Sequence, residues 1–369
     1  MNMKEKRKID MQPCCAGSPA DPVEKGGEKP YIIGWKETGA GKIPGIASDL
    51  SREDKWGAFK VRLSLNRMHY KVDPGLYAVG NPDQNSHVFV TANYKLSFDT
   101  LRRELNGLDA WIMALDTRGI NVWCAAGKGT FGSMEVVNRI EQTGLRKIIK
   151  HRKLILPQLG APGVAAHFVK KFSGFSVIYG PVRADDIKAF LDAGMVASPD
   201  MRRVRFSLYD RLLVVPVEIF TGFKYLFLAM VFFFLLAGLS AQGYSSSMSL
   251  HTGIRSTLNL MFAYLAGTVL GPLLLPWLPG RSFAVKGIFA GGILFVIAWL
   301  TNLAGVRPME IAAWLLLMTA ISSFVTLNFT GASTYTSLSG VRKEMRIALP
   351  VQILAVFLGT GLWIGSRFV

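Results

Sequence analysis

Hydrophobic and polar positions follow two different rhythms along this chain. Between about Tyr31 and Asp200, short strand-like runs alternate with stretches of helical spacing. HVFVT at His87–Thr91 predicts a strand, Phe98–Leu105 a helix, AWIMAL at Ala110–Leu115 a second strand, and Ile120–Trp123 a short third. Met134–Thr143 has helical spacing, Leu154–Leu156 reads as extended, and Val164–Phe172 as helical. Phe175–Tyr179 reads as a strand and Asp185–Asp192 as a helix. Strands alternating with helices of this length predict an α/β domain with a Rossmann-like, largely parallel sheet and helices on both faces.

Beyond about Glu218 the rhythm changes. Five apolar runs follow, at approximately 220–239, 258–278, 285–303, 311–327 and 347–364. Each is near the roughly 20 residues needed to cross a hydrocarbon core of about 30 Å. Lys224 stands at the start of the first run, where its side chain can snorkel to the interface. Pro272 and Pro276 fall near the end of the second, where a kink or stop is tolerated. The chain therefore divides into a tail (1–30), an α/β domain (31–218) and an all-α transmembrane domain (219–369).

Charge sharpens this division. Met1–Glu218 carries 33 Lys/Arg and 23 Asp/Glu, against 9 and 2 in Ile219–Val369. The second half is far below the roughly one-quarter charged content of a soluble domain, which excludes a purely soluble protein and a wholly disordered one. Arg202, Arg203, Arg205 and Arg211 precede the first run, Arg281 and Lys286 lie around the second loop, and Arg342, Lys343 and Arg346 precede the fifth. Arg255, Arg307 and Arg367 fall on the opposite side. This bias predicts a multi-pass protein of the cytoplasmic (inner) membrane, its N-terminal domain cytoplasmic and its C-terminus outside. Glu310 and Glu344 fall at the edges of runs or in loops, so the spans read as an anchor rather than an ion path. Gly291-Gly292 and the Ser/Thr residues between Ser322 and Thr336 read as close helix packing.

The tail is rich in Lys, Glu, Pro and Gly and reads as disordered and cytosolic. Its Cys14 and Cys15, with Cys124, are the three cysteines, which fits a reducing compartment rather than a disulfide framework. The basic N-terminal part would attract acidic lipid headgroups or an acidic protein. No nucleic-acid recognition module is visible, so nucleic acid is not an expected partner.

In parallel sheets ligands collect at the carboxyl ends of the strands. Those ends read as 91–95, 123–129, 158–163 and 179–183, all rich in small residues, amides or glycine. Thr91, Asn93, Gly160 and Gly180 are candidates to line such a rim, although ordinary turn geometry explains them as well. The segment NVWCAAGKGTFG, Asn121–Gly132, is the richest in chemistry. Its Gly127, Gly129 and Gly132 make a GxGxxG after a short strand, the place of a dinucleotide fingerprint. The acidic residue expected about 20 positions on is missing, and that stretch is basic, so only a cofactor with a 2′-phosphate would suit. A P-loop fails, since Gly129 follows Lys128. Cys124 reads either as a small buried hydrophobe beside Trp123 or as a soft metal ligand, its thiolate favoured by a helix opening there and by Lys128.

NVWCAAGK, Asn121–Lys128, resembles the signature of HgcA, the corrinoid protein family of microbial mercury methylation. TANYKLSFDTLR, ALDTRGINVWCAAGKGTFG, HRKLILPQLGAPGVAAH and FSVIYGPVRADD also resemble the corrinoid iron–sulfur proteins of acetyl-CoA metabolism. The likeness spans about Tyr31–Glu218, and the multi-span tail favours the mercury-methylating family. The resemblance implies a cobalamin-type corrinoid with Cys124, on a cap helix, as the lower axial ligand of cobalt and the catalytic residue. It further implies that Asn121, Val122, Trp123, Ala125, Ala126, Gly127, Lys128 and Gly129 shape that cap. The activity implied is methyl transfer from cobalt to Hg(II), giving methylmercury, which requires the methyl to leave with its electron pair or as a radical. An HgcB-like ferredoxin with two 4Fe–4S clusters would then return electrons, and methyltetrahydrofolate, through another methyltransferase, would be the methyl donor. Two other readings stay open: a methyl carrier of one-carbon metabolism, and a transporter with a nucleotide-binding cytosolic domain.

Overall fold

The structure is a computed structural model and describes residues 29–329 and 338–369; Cys14 and Cys15 lie outside them. Strands β1 (Ile32–Thr38) and β2 (Gly41–Ile46) form a hairpin, followed by helix α1 (Arg52–Arg62) and strand β3 (Gly75–Val79). Then come β4 (Val88–Ala92), α2 (Lys95–Glu104), β5 (Ala110–Leu115), α3 (Val122–Lys128) and α4 (Ser133–Gln142). The domain closes with β6 (Lys153–Leu156), α5 (Ala166–Ser173), β7 (Ser176–Tyr179) and α6 (Ile187–Asp192).

The sheet is mixed, with seven strands in the order β1-β2-β3-β5-β4-β6-β7. Strands β5, β4, β6 and β7 run parallel, so their carboxyl ends share one edge. Strand β3 runs antiparallel to β5, which makes the sheet less uniformly parallel than the alternation predicts. The cause is the connection: Gly80–His87 has no crossover helix, and a parallel return needs one or a comparably long link. Every residue of β4 and β5 is buried. Such central strands read as unbroken apolar runs because both faces are covered. Val88, Val90, Trp111 and Met113 pack with Ala125, Val136, Ile140 and Val169 of α3, α4 and α5. Phe89, Ile112 and Ala114 pack on the other face with Phe98, Leu105 and Phe190 of α2 and α6.

Helix α1 begins with a capping box, Ser51 and Asp54 exchanging hydrogen bonds. It is joined to α2 by a buried ionic cluster. Arg102, fully buried, places Nη2 2.6 Å from Asp54 and Nε 2.8 Å from Asp99. Lys95 lies 2.5 Å from Asp54 and 2.7 Å from Asp99. Burial by itself would raise the Asp54 carboxyl, but hydrogen bonds from Lys95, the Ser51 amide and Arg102 outweigh it and hold the group at about 2.

Five helices in the C-terminal half are long and apolar enough to cross a membrane. Helix α7 (Leu208–Leu236) leads through a two-stranded hairpin, β8 (Leu239–Ser240) and β9 (Gly243–Tyr244), to α8 (Ser246–Leu265). A π-helical stretch, Ala266–Leu270, continues α8 into the short α9 (Gly271–Leu273). Then come α10 (Phe283–Leu300), α11 (Pro308–Asn328) and α12 (Leu338–Gly365). Helix α7 starts well before the expected Phe220, so Lys224 lies inside it, with its ammonium 4.8 Å from the Tyr225 ring centre. A Cβ on Gly267, Gly287 or Gly291 would come within 2.9 Å of α11, whereas one on Gly292 would meet nothing. Gly291 therefore sits in a close crossing and Gly292 does not. Ser323 adds a hydrogen bond to the Ala284 carbonyl at 2.9 Å. Glu310 opens α11, paired with Arg367 at 2.8 Å, and Glu344 caps α10 by accepting from Ser282 and the Ala284 amide.

Candidate functional site

The turn that follows β5 is built around one amide. Asn93, 1% exposed, stands just beyond β4. Its Oδ1 accepts from the Thr117 amide at 3.1 Å and the Gly119 amide at 3.0 Å. Its Nδ2 donates to Asp116 at 3.3 Å. The Thr117 hydroxyl lies 2.9 Å from the same Oδ1 and 2.6 Å from the Ile120 carbonyl. The turn reverses through Arg118 and Gly119, whose φ values of 57° and 72° are left-handed. Asn93 thus holds the loop that delivers the chain to Asn121, rather than lining an open surface.

Asn121 caps α3, its Oδ1 accepting from the Cys124 amide at 2.9 Å. The expected short strand at Ile120–Trp123 is therefore the start of a helix, and Cys124 is its third residue, in the first turn. Gly129 ends the helix in the left-handed conformation, φ 81°. The three glycines of the GxGxxG consequently do not form a strand-to-helix phosphate loop. Gly127 lies inside α3, Gly129 terminates it, and Gly132 precedes α4, where a Cβ would meet the Gly129 carbonyl at 2.8 Å. A dinucleotide fingerprint needs glycines directly between strand and helix N-terminus, which this arrangement lacks.

Val122, Ala125 and Ala126 face the core and fix α3 over the carboxyl edge of the sheet. Cys124, Gly127 and Lys128 share another face, as helical spacing requires. Cys124 is half-buried with a free thiol, and Gly127, Lys128 and Gly129 are exposed. A Cβ on Gly127 or Gly129 would meet nothing within 4 Å, so the face beside the sulfur is open. Tyr94 stands just beyond β4, where burial pushes its phenol up against the opposing charges of Arg67 and Arg62.

A groove of about 370 Å³ runs beneath the first turn of α3. Thr91, Tyr94, Asn121, Trp123, Leu159 and Val182 are among its walls, and Arg62 closes it at the end of α1. It lies between β4 and β6, which pair at Phe89↔Ile155. The connections from these two strands leave in opposite directions, the switch point at which open sheets take their ligands. Of the sequence candidates, Thr91, Asn121, Val122 and Trp123 line the groove. Gly160 and Gly180 do not: Cβ atoms there would sit 2.5 Å from the Phe131 ring and 3.1 Å from Ile155, so these glycines serve core packing. His87 and His151 stand at the amino ends of β4 and β6, away from this rim. Among the described residues no group of three or more His, Cys, Asp or Glu gathers as a metal site.

Sequence reasoning missed Arg62, and it placed Tyr94 and Gly163 in the rim segments 91–95 and 158–163 without singling them out. A Cβ on Gly163 would fall 2.2 Å from the Phe131 carbonyl oxygen and 3.0 Å from Ala126 Cα, so this glycine lets the loop after β6 press against α3. The signal for α1, and hence Arg62, was the Ser51–Asp54 capping box.

Residues 65–191 match the family model described as CO dehydrogenase/acetyl-CoA synthase delta subunit. The chain is 31% identical over 128 residues to the acetyl-CoA decarbonylase/synthase complex subunit gamma of Archaeoglobus fulgidus, covering 34% of this chain and 27% of that protein. Its counterpart in Methanopyrus kandleri is 32% identical over 124 residues, 33% of this chain and 26% of that one. Subunit gamma 2 of Methanosarcina thermophila is 39% identical over 94 residues, 24% and 20% of the two chains. The match thus spans about a quarter of these relatives' length. The α/β region carries a domain homologous to that gamma subunit, and the family match ends before α7 begins.

Proposed function

We propose that this chain is a membrane-anchored corrinoid-dependent methyltransferase in which Cys124 is the lower axial ligand of cobalt. The observation that carries the reading is a half-buried, free thiol on a rigidly capped helix, at the carboxyl edge of a domain homologous to an acetyl-CoA decarbonylase/synthase subunit. The residues fit such a group in kind: a soft sulfur donor, and open space at Gly127 and Gly129 beside it. The neighbouring groove is at the small end of the roughly 300–1,000 Å³ usual for ligand sites and does not have Cys124 among its walls, so by itself it would not enclose a corrin held by that sulfur. When bound, the corrinoid supplies the cobalt that carries the methyl group, and a thiolate ligand favours release of that group to an electrophile. Asn121 holds the first turn of the cap, and Val122, Ala125 and Ala126 anchor it, so the sulfur is positioned by packed backbone. Trp123 and Thr91 would border the ligand from the groove. Gly160 and Gly180 act behind this surface and Asn93 through the turn it holds.

The acceptor we assign is Hg(II), on the resemblance of the Asn121–Lys128 string to the mercury-methylating family and on the membrane half that accompanies it. An HgcB-like ferredoxin would return the electrons, and methyltetrahydrofolate would supply the methyl group through a separate methyltransferase. The same reading puts the α/β domain on the cytoplasmic side and the C-terminus outside. A second reading, a methyl carrier of one-carbon metabolism, is favoured by the similarity to acetyl-CoA decarbonylase/synthase subunits.

The test uses the full chain in detergent, loaded with cobalamin. Cys124→Ala should change the axial-ligand absorption spectrum and abolish methylmercury formation in a reduced lysate. An unchanged spectrum removes Cys124 from cobalt. A changed spectrum with no methylmercury from the wild type, together with acetyl-CoA synthesis that depends on the chain, supports the one-carbon reading instead.

A further inference from the structure

The three arginines that depart from the positive-inside bias are far apart in sequence yet meet in one cavity. It lies at the end of the helix bundle remote from the sheet, beside the hairpin that follows α7, and has a volume of about 430 Å³. Arg255 enters from α8, Arg307 from the N-cap of α11, and Arg367 from just beyond α12. The one carboxylate side chain on its wall is Glu310, 4% exposed. Glu310 Oε1 lies 2.8 Å from Arg367 Nη2 and 3.9 Å from Arg255 Nη2. The remaining contacts of these cations are to uncharged groups. Arg255 Nη2 donates to the Asn302 and Leu303 carbonyls at 3.1 and 3.4 Å, and Arg307 Nη1 to the Ser366 carbonyl at 3.1 Å. Arg255 Nε is buried without a hydrogen-bond partner among the described residues. Three guanidiniums thus share one buried carboxylate side chain, which leaves the cations in excess.

We propose that this cavity binds a phosphate group, either as the headgroup of an acidic phospholipid or as free inorganic phosphate. A guanidinium presents a planar fork of donors that matches phosphate oxygens, and orphaned N–H groups in a part-buried pocket are satisfied by such an anion. Glu310 braces Arg367 so that its fork is held without being quenched together with the other two. Val306 and Phe368, both exposed, line the same cavity and offer apolar surface for acyl chains next to the charged end. The proposal is independent of the role of Cys124, since it concerns the opposite end of the molecule.

The full chain, purified in neutral detergent, is titrated separately with phosphatidylglycerol, phosphatidylcholine and inorganic phosphate, reading the thermal midpoint and the bound lipid by native mass spectrometry. Arg307 is exposed and at a helix start, so Arg307→Gln should fold as the wild type does; Arg255→Gln is the second variant. Phosphatidylglycerol should raise the wild-type midpoint and bind about tenfold more weakly to either variant, as loss of a charge-assisted contact predicts. The same dependence seen with inorganic phosphate alone identifies a soluble anion as the ligand. Equal binding of phosphatidylcholine, with no response to phosphate, overturns the proposal. So does wild-type affinity in both variants, or an equal loss in Lys343→Gln at the other end of the bundle.

Discussion

Gly163→Ala is the sharpest probe of how the cap helix is held. The added methyl carbon would lie 2.2 Å from the Phe131 carbonyl oxygen, 3.0 Å from Ala126 Cα and 3.1 Å from the Ala126 oxygen. These are backbone atoms, so no side-chain rotation relieves the clash. Carbon contacts settle at about 3.5–4.0 Å, so the loop and α3 must part by roughly 1 Å. The loop is not free to yield alone, because the Tyr179 hydroxyl donates to the Val164 carbonyl and the Gly163 amide donates to the Gly160 carbonyl. Overpacking of this kind costs about 1–3 kcal/mol. A displacement of about 1 Å at a reacting group can cost on the order of 10²-fold in rate. The assay is thermal unfolding of the full chain together with the spectrum of its cobalamin-loaded form. Gly163→Ala should lower the midpoint and shift the axial-ligand bands. Gly127→Ala is the matched control, since its methyl would meet nothing within 4 Å. It should stabilise α3 by about 0.5–1 kcal/mol while weakening cobalamin binding on that face. A Gly163→Ala protein with wild-type midpoint and spectrum would refute the argument that this loop sets the position of α3.

Asn93→Ala should orphan the buried Thr117 and Gly119 amides, at about 1–3 kcal/mol for each group left unsatisfied. Urea unfolding measures the loss, and modification of Cys124 by a thiol reagent should quicken as the turn before α3 loosens; an unchanged rate separates the turn from the helix. The ionic cluster at Asp54 gives a pH signature. Its folded value, about 2, is below the ordinary 3.8, so its contribution is fully present above about pH 4 and is lost as pH falls through 2. The shift corresponds to about 2 kcal/mol. Asp54→Asn should destabilise the protein by about 3–5 kcal/mol, because Arg102 and Lys95 keep their buried charges, and should flatten the acid limb of the stability curve. An acid limb of wild-type slope in that variant would show that other carboxylates control it.

Much of the frame is legible in local pattern. The runs at Val88–Ala92 and Ala110–Leu115 declare themselves because central strands are buried on both faces and need apolar residues throughout. The five apolar helices are equally plain, since a hydrocarbon core leaves little freedom in length or polarity. The first hairpin is silent for the opposite reason: Ile33 and Trp35 are exposed on an edge strand, so its polarity does not alternate with burial.

The chemistry proposed for Cys124 rests on one short string, which did not disclose the setting of that residue. Val122 and Trp123 favour strands by type, and only the Asn121 cap, with a turn tied to Asn93 across the sheet, makes the segment a helix. Glycine alone does not reveal its purpose either: Gly160 and Gly180 yield to Phe131 and Ile155, whereas Gly163 yields to α3. What the sequence determined by itself was the alternation of strands and helices around Val88–Ala92 and Ala110–Leu115, the five long apolar segments and a cysteine at position 124, because these follow from residues near each other in the chain. Only the tertiary structure decided that this cysteine is half-exposed beside open space, and that Arg255, Arg307 and Arg367 face one another. Both depend on contacts between segments remote in sequence, where packing and hydrogen bonding, not local preference, set the geometry.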